Sequence, residues 1–195
     1  MRKVELPAKQ KVSRAEKQQM LDQKSIVIWL LGYSGAGKTT LANYVEQWLF
    51  SNGYHTTLID GDDLRFGLNS DLGFSQQDRK ENIRRAAEVS KLFMNSGVIT
   101  ICAFISPTQE IRNLVRQIIG ESYFEVFVNC SVNACEKRDI KGLYKKARAG
   151  DLKNFTGIDS VFETPLDSDL IVDSEFNSVE TCGEQILEKI LERIK

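Results

Sequence analysis

The stretch GYSGAGKTT, residues 32–40, stands between the apolar run SIVIWLL and the amphipathic segment LANYVEQWLF. Gly32, four variable positions, Gly37, Lys38 and Thr39 satisfy the G-x-x-x-x-G-K-[ST] pattern, in which a strand enters a glycine-rich turn that opens a helix. The glycines let backbone N–H groups wrap a β-phosphate, the lysine reaches the β- and γ-oxygens, and the threonine hydroxyl takes a position on magnesium. A loop of this kind belongs at the carboxyl edge of a parallel sheet. It calls for ATP or GTP with Mg2+ and leaves the phosphoryl acceptor unnamed.

The rest of the chain supplies such a sheet. SIVIWLLG, TTLIDG, VITICAFIS, FEVFVNC and LIVDS are short apolar runs of strand character. Between them lie GKTTLANYVEQWLFSNG, SQQDRKENIRRAAEVSKLFMNSG, PTQEIRNLVRQIIG and VNACEKRDIKGLYKKARAG, each helical in pattern, several stopping at glycine, and SVETCGEQILEKILERIK closes the chain. Continuous apolar strands alternating with helices predict an α/β fold, a P-loop NTPase three-layer sandwich with a five-stranded parallel sheet and helices on both faces. Its ligands gather at the carboxyl ends of the strands. A chain of 195 residues suits one such domain, expected over 25–195, with residues 1–24 as an N-terminal arm in which Ser13 caps a short helix through RAEKQQML.

Composition removes several function classes. The net charge of -1 provides no broad basic field for nucleic acid, so any anion site is local. No stretch reaches the length of a membrane span, and MRKVELPAKQKVSR lacks a signal-peptide core, so no membrane partner and a cytoplasmic location are expected. Cys102, Cys130, Cys135 and Cys182 show no metal-ligand spacing and read as buried, reduced thiols. His55 is the only histidine, which argues against a Ser-His-Asp triad or a histidine zinc site. Acid and base work falls to carboxylates, lysines or the substrate.

The second strand ends in IDGDDLRFGL, which puts Asp60, Asp62 and Asp63 at the ligand edge with Arg65 behind. Phosphoryl transfer uses a carboxylate to order metal-bound water or take a hydroxyl proton, and an arginine to hold an anion; Asp62 is the main candidate, although an acidic turn capping a helix explains the residues equally well. Next come Phe74, Arg79, Asn82, Arg84 and Arg85. These arginines form either a solvated basic face or, for Arg79 and Asn82 one helical turn apart, a joint contact to an anion and a sugar hydroxyl. RDIKGLYKKARAG concentrates Arg138, Lys141, Lys145, Lys146 and Arg148, as a lid over transferring phosphates or as a solvated helix. Phe74 and Phe155 (in NFTGID) are then two exposed-loop aromatics able to sandwich one planar ring.

FSQQDRKENIRR, AFISP, RDIKGLYKKARAG and NFTGID, with the P-loop and DGD, resemble the adenylylsulfate kinases, which phosphorylate the 3′-hydroxyl of adenosine 5′-phosphosulfate. The likeness runs from about residue 11 to the C-terminus. It implies a P-loop kinase, usually a homodimer, that uses ATP and Mg2+, with possible coupling to an ATP sulfurylase. Gly32, Tyr33, Ser34, Gly35, Ala36, Gly37, Lys38 and Thr39 correspond to the ATP-binding loop. Asp62 corresponds to the aspartate near magnesium and the attacking hydroxyl, with Thr39 as the other metal position. Arg65, Arg79 and Asn82 correspond to the groups on phosphosulfate and ribose, Phe74 and Phe155 to the adenine sandwich, and Lys141 to a lid cation on the substrate. Ser106 matches a serine assigned in the family as a phosphorylated intermediate; because in-line transfer to a bound hydroxyl needs no enzyme nucleophile, a positioning hydroxyl is the simpler role.

The sequence departs from the family pattern at Asp63, commonly asparagine, at Phe66, commonly histidine, and at Thr108, where an aromatic is usual. These changes bear on acceptor affinity more than on the chemistry. They keep open a related 3′-hydroxyl kinase for another nucleotide, such as one carrying a phosphoramidate. A nucleotide-binding regulatory partner without catalysis is a third reading, against which the intact Lys38, Thr39, Asp62 and lid argue.

Overall fold

A computed structural model describes residues 11–195; the first ten residues of the expected arm lie outside the described residues. Its sheet contains β1 (Val27–Leu31), β2 (Thr56–Asp60), β3 (Ile99–Ala103), β4 (Tyr123–Asn129) and β5 (Leu170–Asp173), all parallel, in the order β2-β3-β1-β4-β5. All five expected strands form, and β1 is the central one.

Every residue of β1 is buried, which explains its unbroken apolar sequence. Val27, Trp29 and Leu31 face one core, while Ile28 and Leu30 face the other. The first core is completed by Ile83, Ala86 and Ala87 of α4 (Gln76–Asn95) and by Ile111 and Val115 of α5 (Gln109–Ile119). The second is filled by Leu41 and Val45 of α2 (Lys38–Ser51) and Ile186 and Ile190 of α8 (Val179–Ile194). This is the expected three-layer arrangement, and it leaves the carboxyl edge of the sheet open to ligands.

Side-chain caps set several helix starts. Ser13 accepts from Glu16 N and Glu16 reaches back to Ser13, a capping box that opens α1 (Arg14–Leu21). Arg14 then ties α1 to the domain through Ser25 Oγ and Ser122 Oγ, each at 2.9 Å. Ser75 starts α4 by accepting from Asp78 N, and Thr108 starts α5 by accepting from Ile111 N. Thr108 therefore has a local structural use where the family pattern has an aromatic.

One local expectation needs correction. The segment after β4 is not one helix but α6 (Val132–Arg138) and α7 (Leu143–Arg148), separated by a turn. Gly142 takes φ 65°, and Asp139 accepts from Tyr144 N and Lys145 N at 3.0 Å, so the carboxylate caps a second helix instead of letting the first continue. The acidic turn after β2 does cap a helix, as one reading of the sequence had it: Asp60 is the N-cap of the short α3 (Gly61–Phe66).

Candidate active site

The glycine-rich turn leaves β1 at Leu31 and enters α2 at Lys38. Gly32 has φ 146°, and a Cβ there would lie 2.6 Å from the carbonyl oxygen of Val128, so neither the conformation nor the space admits a side chain. Lys38 Nζ folds back and donates to Tyr33 O at 2.7 Å. Desolvation beneath the loop pushes its ammonium down to about 8, partly opposed by Asp60.

The loop faces an acidic turn. Thr39 Oγ1 donates to Asp60 Oδ2 at 2.7 Å, while Asp60 Oδ1 accepts from the Asp62 backbone N–H at 2.8 Å. One carboxylate thus ties the start of α2 to the start of α3. Asp62 is ion-paired to Lys141 in the turn between α6 and α7. That hydrogen bond, with Asp60 and Asp63 nearby, raises the Lys141 pKa above its usual value.

A cleft of about 480 Å³ opens between these groups. It brings together Ser34, Gly35, Gly37, Lys38, Thr39, Asp60, Asp62, Arg65, Phe74, Arg79, Asn82, Ser106, Lys141 and Phe155 from seven separate segments of the chain. Gly32, Tyr33 and Ala36 do not line it: Gly32 and Ala36 are buried, and the Tyr33 ring packs on Phe162 with centroids 4.5 Å apart. Asp63 and Phe66 are exposed and are not among the lining residues, so neither departure from the family pattern sits in the cleft wall.

The groups across the cleft from the P-loop are interlocked. Arg79 Nε donates to Phe74 O at 3.0 Å, Nη1 to Thr156 Oγ1 at 3.1 Å, and Nη2 to Asn154 O. Arg79 therefore clamps together the two loops that carry Phe74 and Phe155. Arg65 donates to Gly73 O at 3.0 Å and lies 4.3 Å from the Phe74 ring centroid, a cation–π contact. Desolvation lowers both guanidinium pKa values, and both remain charged.

Phe74 is 52% exposed, as its polar loop suggests, but Phe155 is only 7% exposed and is not an exposed aromatic. Its ring meets Tyr144 edge-on with centroids 4.9 Å apart, and Asp159 closes the loop by accepting from Asn154 N at 2.7 Å. The basic residues also separate. Arg84 and Arg85 leave the cleft to pair with Glu81, and Arg85 also with Asp71. Arg148 pairs with Glu136, and of the basic residues in the expected lid only Lys141 lines the cleft.

Ser106 sits at φ 45°, buried, and its Oγ accepts from Trp29 Nε1 at 2.9 Å. Its carbonyl accepts from Arg112 Nη1 at 3.2 Å. Sequence reading missed Arg112, Thr156 and Tyr144, whose hydroxyl donates to Ser34 O at 2.9 Å. Thr156 had a signal, since it adjoins Phe155 in the same motif; Arg112 reads as one more helix-face arginine although it bonds Ser106 nearby, and Tyr144 acts through a partner more than a hundred residues away.

The sequence matches the family model of adenylylsulphate kinase over residues 24–173. The chain belongs to the adenylylsulphate kinase family. An adenylyl-sulfate kinase of Clostridium acetobutylicum is 51% identical over 178 residues, spanning 91% of this chain and 89% of that protein. One of Bacillus pumilus is 51% identical over 185 residues, 94% of each chain. The structure of the Mycobacterium tuberculosis APS kinase CysC in complex with AMPPNP and APS superposes with a TM-score of 0.83 at 41% identity, covering 87% of this chain and 98% of that one. Membership in the adenylylsulphate kinase family agrees with the P-loop, the acidic turn and the paired aromatic loops around one cleft, and it makes the protein an ATP-using kinase.

Proposed function

We propose that the protein transfers the γ-phosphoryl group of ATP to the 3′-hydroxyl of adenosine 5′-phosphosulfate, giving ADP and 3′-phosphoadenosine 5′-phosphosulfate. The observation that carries this reading is the single cleft that joins the phosphate loop and Asp62 to Arg65, Arg79, Asn82, Phe74 and Phe155. Anionic and aromatic recognition stand opposite a nucleotide-phosphate cradle, as transfer between two nucleotides requires.

In this reading the Gly32–Thr39 loop holds ATP, and Lys38 exchanges the Tyr33 carbonyl for β- and γ-phosphate oxygens. The donor set fits Mg2+. Thr39 and Asp60 offer hard oxygens within 2.7 Å of each other, and Asp62 follows in the same turn. Magnesium held with nucleotide phosphates needs only one or two protein oxygens; among the described residues there is no cluster of three or more His, Cys, Asp or Glu suited to a metal centre of its own. When bound, Mg2+ neutralises charge on the β- and γ-oxygens.

Asp62 orients the acceptor hydroxyl and takes its proton as the O–P bond forms. Arg65, Arg79 and Asn82 hold phosphosulfate and ribose, and the Phe74 and Phe155 faces enclose adenine. Lys141, already held at Asp62, adds positive charge over the transferring group. Ser106 serves as a positioning hydroxyl, because its Oγ already accepts from Trp29.

The expected division, a domain over 25–195 preceded by an arm, is kept as part of this reading, residues 1–10 lying outside the described residues, and four buried free thiols support a reducing, cytoplasmic setting. The family resemblance supports a homodimer and coupling to an ATP sulfurylase; analytical ultracentrifugation tests the first. An acceptor panel tests the reaction: adenosine 5′-phosphosulfate, AMP and adenosine 5′-phosphoramidate offered separately with MgATP. The first is expected to give the highest kcat/KM. Preference for the phosphoramidate would move the assignment to the alternative kinase.

A further inference from the structure

Among the described residues, Asn69 Oδ1 is the one buried side-chain nitrogen or oxygen without a hydrogen-bond partner. Asn69 is fully buried, just after α3, and its Nδ2 donates to Asn82 Oδ1 at 2.9 Å. The backbone turn does not depend on this amide. Asn69 N–H donates to Leu64 O at 2.8 Å and Asn69 O accepts from Leu72 N at 3.1 Å, so the main chain is satisfied by itself. Burying a carboxamide with half its capacity unmet is unfavourable. What the side chain supplies in return is a single donor, aimed at Asn82.

Asn82 lies on α4, one turn after Arg79, and lines the cleft. A carboxamide that accepts at Oδ1 carries its NH2 group on the other side. Because Asn69 engages Asn82 Oδ1, the free end of the amide is Nδ2, which donates to no protein acceptor among the described residues. The contact gives this part of the cleft wall donor polarity. Phosphate, sulfate and ribose oxygens all accept, so a donor suits an anionic acceptor nucleotide and an exposed Oδ1 would repel its charged group.

We propose that Asn69 is a positioning residue for acceptor binding: it fixes the rotamer and amide sense of Asn82 so that Nδ2 faces the acceptor nucleotide. The proposal rests on the function reading above. Asn69 does not line the cleft, and its hydrogen bonds go to Asn82, Leu64 and Leu72 and not to the P-loop, so its influence is expected on the acceptor half of the cleft.

The test is a double-mutant cycle of wild type, N69A, N82A and N69A/N82A, measuring KM for adenosine 5′-phosphosulfate, KM for ATP, kcat and Tm. N69A is expected to raise the acceptor KM about tenfold, the size of one directed hydrogen bond to a charged group, with ATP KM and kcat within about twofold of wild type. In the N82A background, removing Asn69 is expected to add nothing further to the acceptor KM. N69D supplies a second reading. Its carboxylate only accepts, so Asn82 must turn its NH2 inward and show Oδ1 to the substrate, and the acceptor KM is expected to exceed that of N69A.

An acceptor KM unchanged in N69A, or raised by the same factor with and without Asn82, overturns the proposal. So does a parallel loss of ATP and acceptor affinity with a lowered Tm, which is the signature of a general structural role. A wild-type protein that does not phosphorylate this acceptor overturns the function reading and the proposal together, whereas active wild type with an unaffected N69A overturns the proposal alone.

Discussion

Lys141, in the turn between α6 and α7, is ion-paired to Asp62 at the head of α3, and both side chains are 61% exposed. An exposed pair of this kind contributes little to stability because water screens it. It lines the cleft together with Lys38 and Thr39, and in the proposed reaction its use is chemical. Asp62→Ala is expected to lower kcat by about 10²–10⁴-fold while ATP affinity changes by less than about fivefold, with Tm almost unmoved. Equal losses in turnover and ATP binding, read by steady-state kinetics and calorimetry, would remove Asp62 from the catalytic role.

The Ser106 hydroxyl accepts from the Trp29 indole, and the residue is buried. Ser106→Ala removes that hydrogen bond and leaves the indole N–H unpaired, which costs about 1–3 kcal/mol of stability. Direct transfer predicts that the variant retains turnover within about tenfold of wild type, since no covalent step is lost. Rapid-quench labelling with γ-32P-ATP checks the point independently. A phosphoserine formed and consumed at the catalytic rate would show that transfer runs through Ser106.

A Cβ on Gly183 in α8 would stand 2.2 Å from Tyr44 Cδ1 and 2.4 Å from Cε1. The overlap involves the ring itself, so Tyr44 has to leave its position between α2 and α8. Gly183→Ala is expected to destabilise the protein by about 1–3 kcal/mol in chemical denaturation. In a Tyr44→Ala background the clash is gone and the helix propensity of alanine remains, so the same change is expected to stabilise by about 1 kcal/mol. Destabilisation of equal size in both backgrounds would contradict the packing account.

All four cysteines are free and buried. Burial pushes the Cys102 thiol up to about 12, against a weaker opposing effect of its hydrogen bond with Ser90, and Cys135 likewise up to about 12, with Cys130 adding to the shift. Thiolate is the reactive form, so Ellman's reagent should label the native protein slowly and with little increase between about pH 7 and 10. Unfolded protein should react at all four sites, with a rise near pH 8.5. The sign for stability follows from these raised values. Between about pH 8.5 and 12 the native state holds protons that the unfolded chain has lost, so this contribution is fully present below pH 8.5 and declines above it. Fast native labelling at pH 8 would contradict the burial.

The five strands and the P-loop were legible because each rests on a local pattern, an apolar run or a fixed glycine and lysine spacing. The split of α6 from α7 was not, because it depends on Asp139 capping a helix through two backbone N–H groups, and the surrounding pattern remains helical. Phe155 follows the same logic. Its loop is polar, but its ring packs edge-on against Tyr144 in the cleft wall, and only the fold brings the two together. Many of the residues that line the cleft were picked out by motif and resemblance. The clamp made by Arg79 and the support given to Asn82 by Asn69 were hidden, because their partners lie on the far side of a loop or in another segment.

The central claim is tested most directly by incubating the purified protein with MgATP, with and without adenosine 5′-phosphosulfate, following ADP and identifying the nucleotide product by mass spectrometry. The account predicts ADP formation that depends on the acceptor, matched one for one by 3′-phosphoadenosine 5′-phosphosulfate. Tight ATP binding with no product from this acceptor would contradict it.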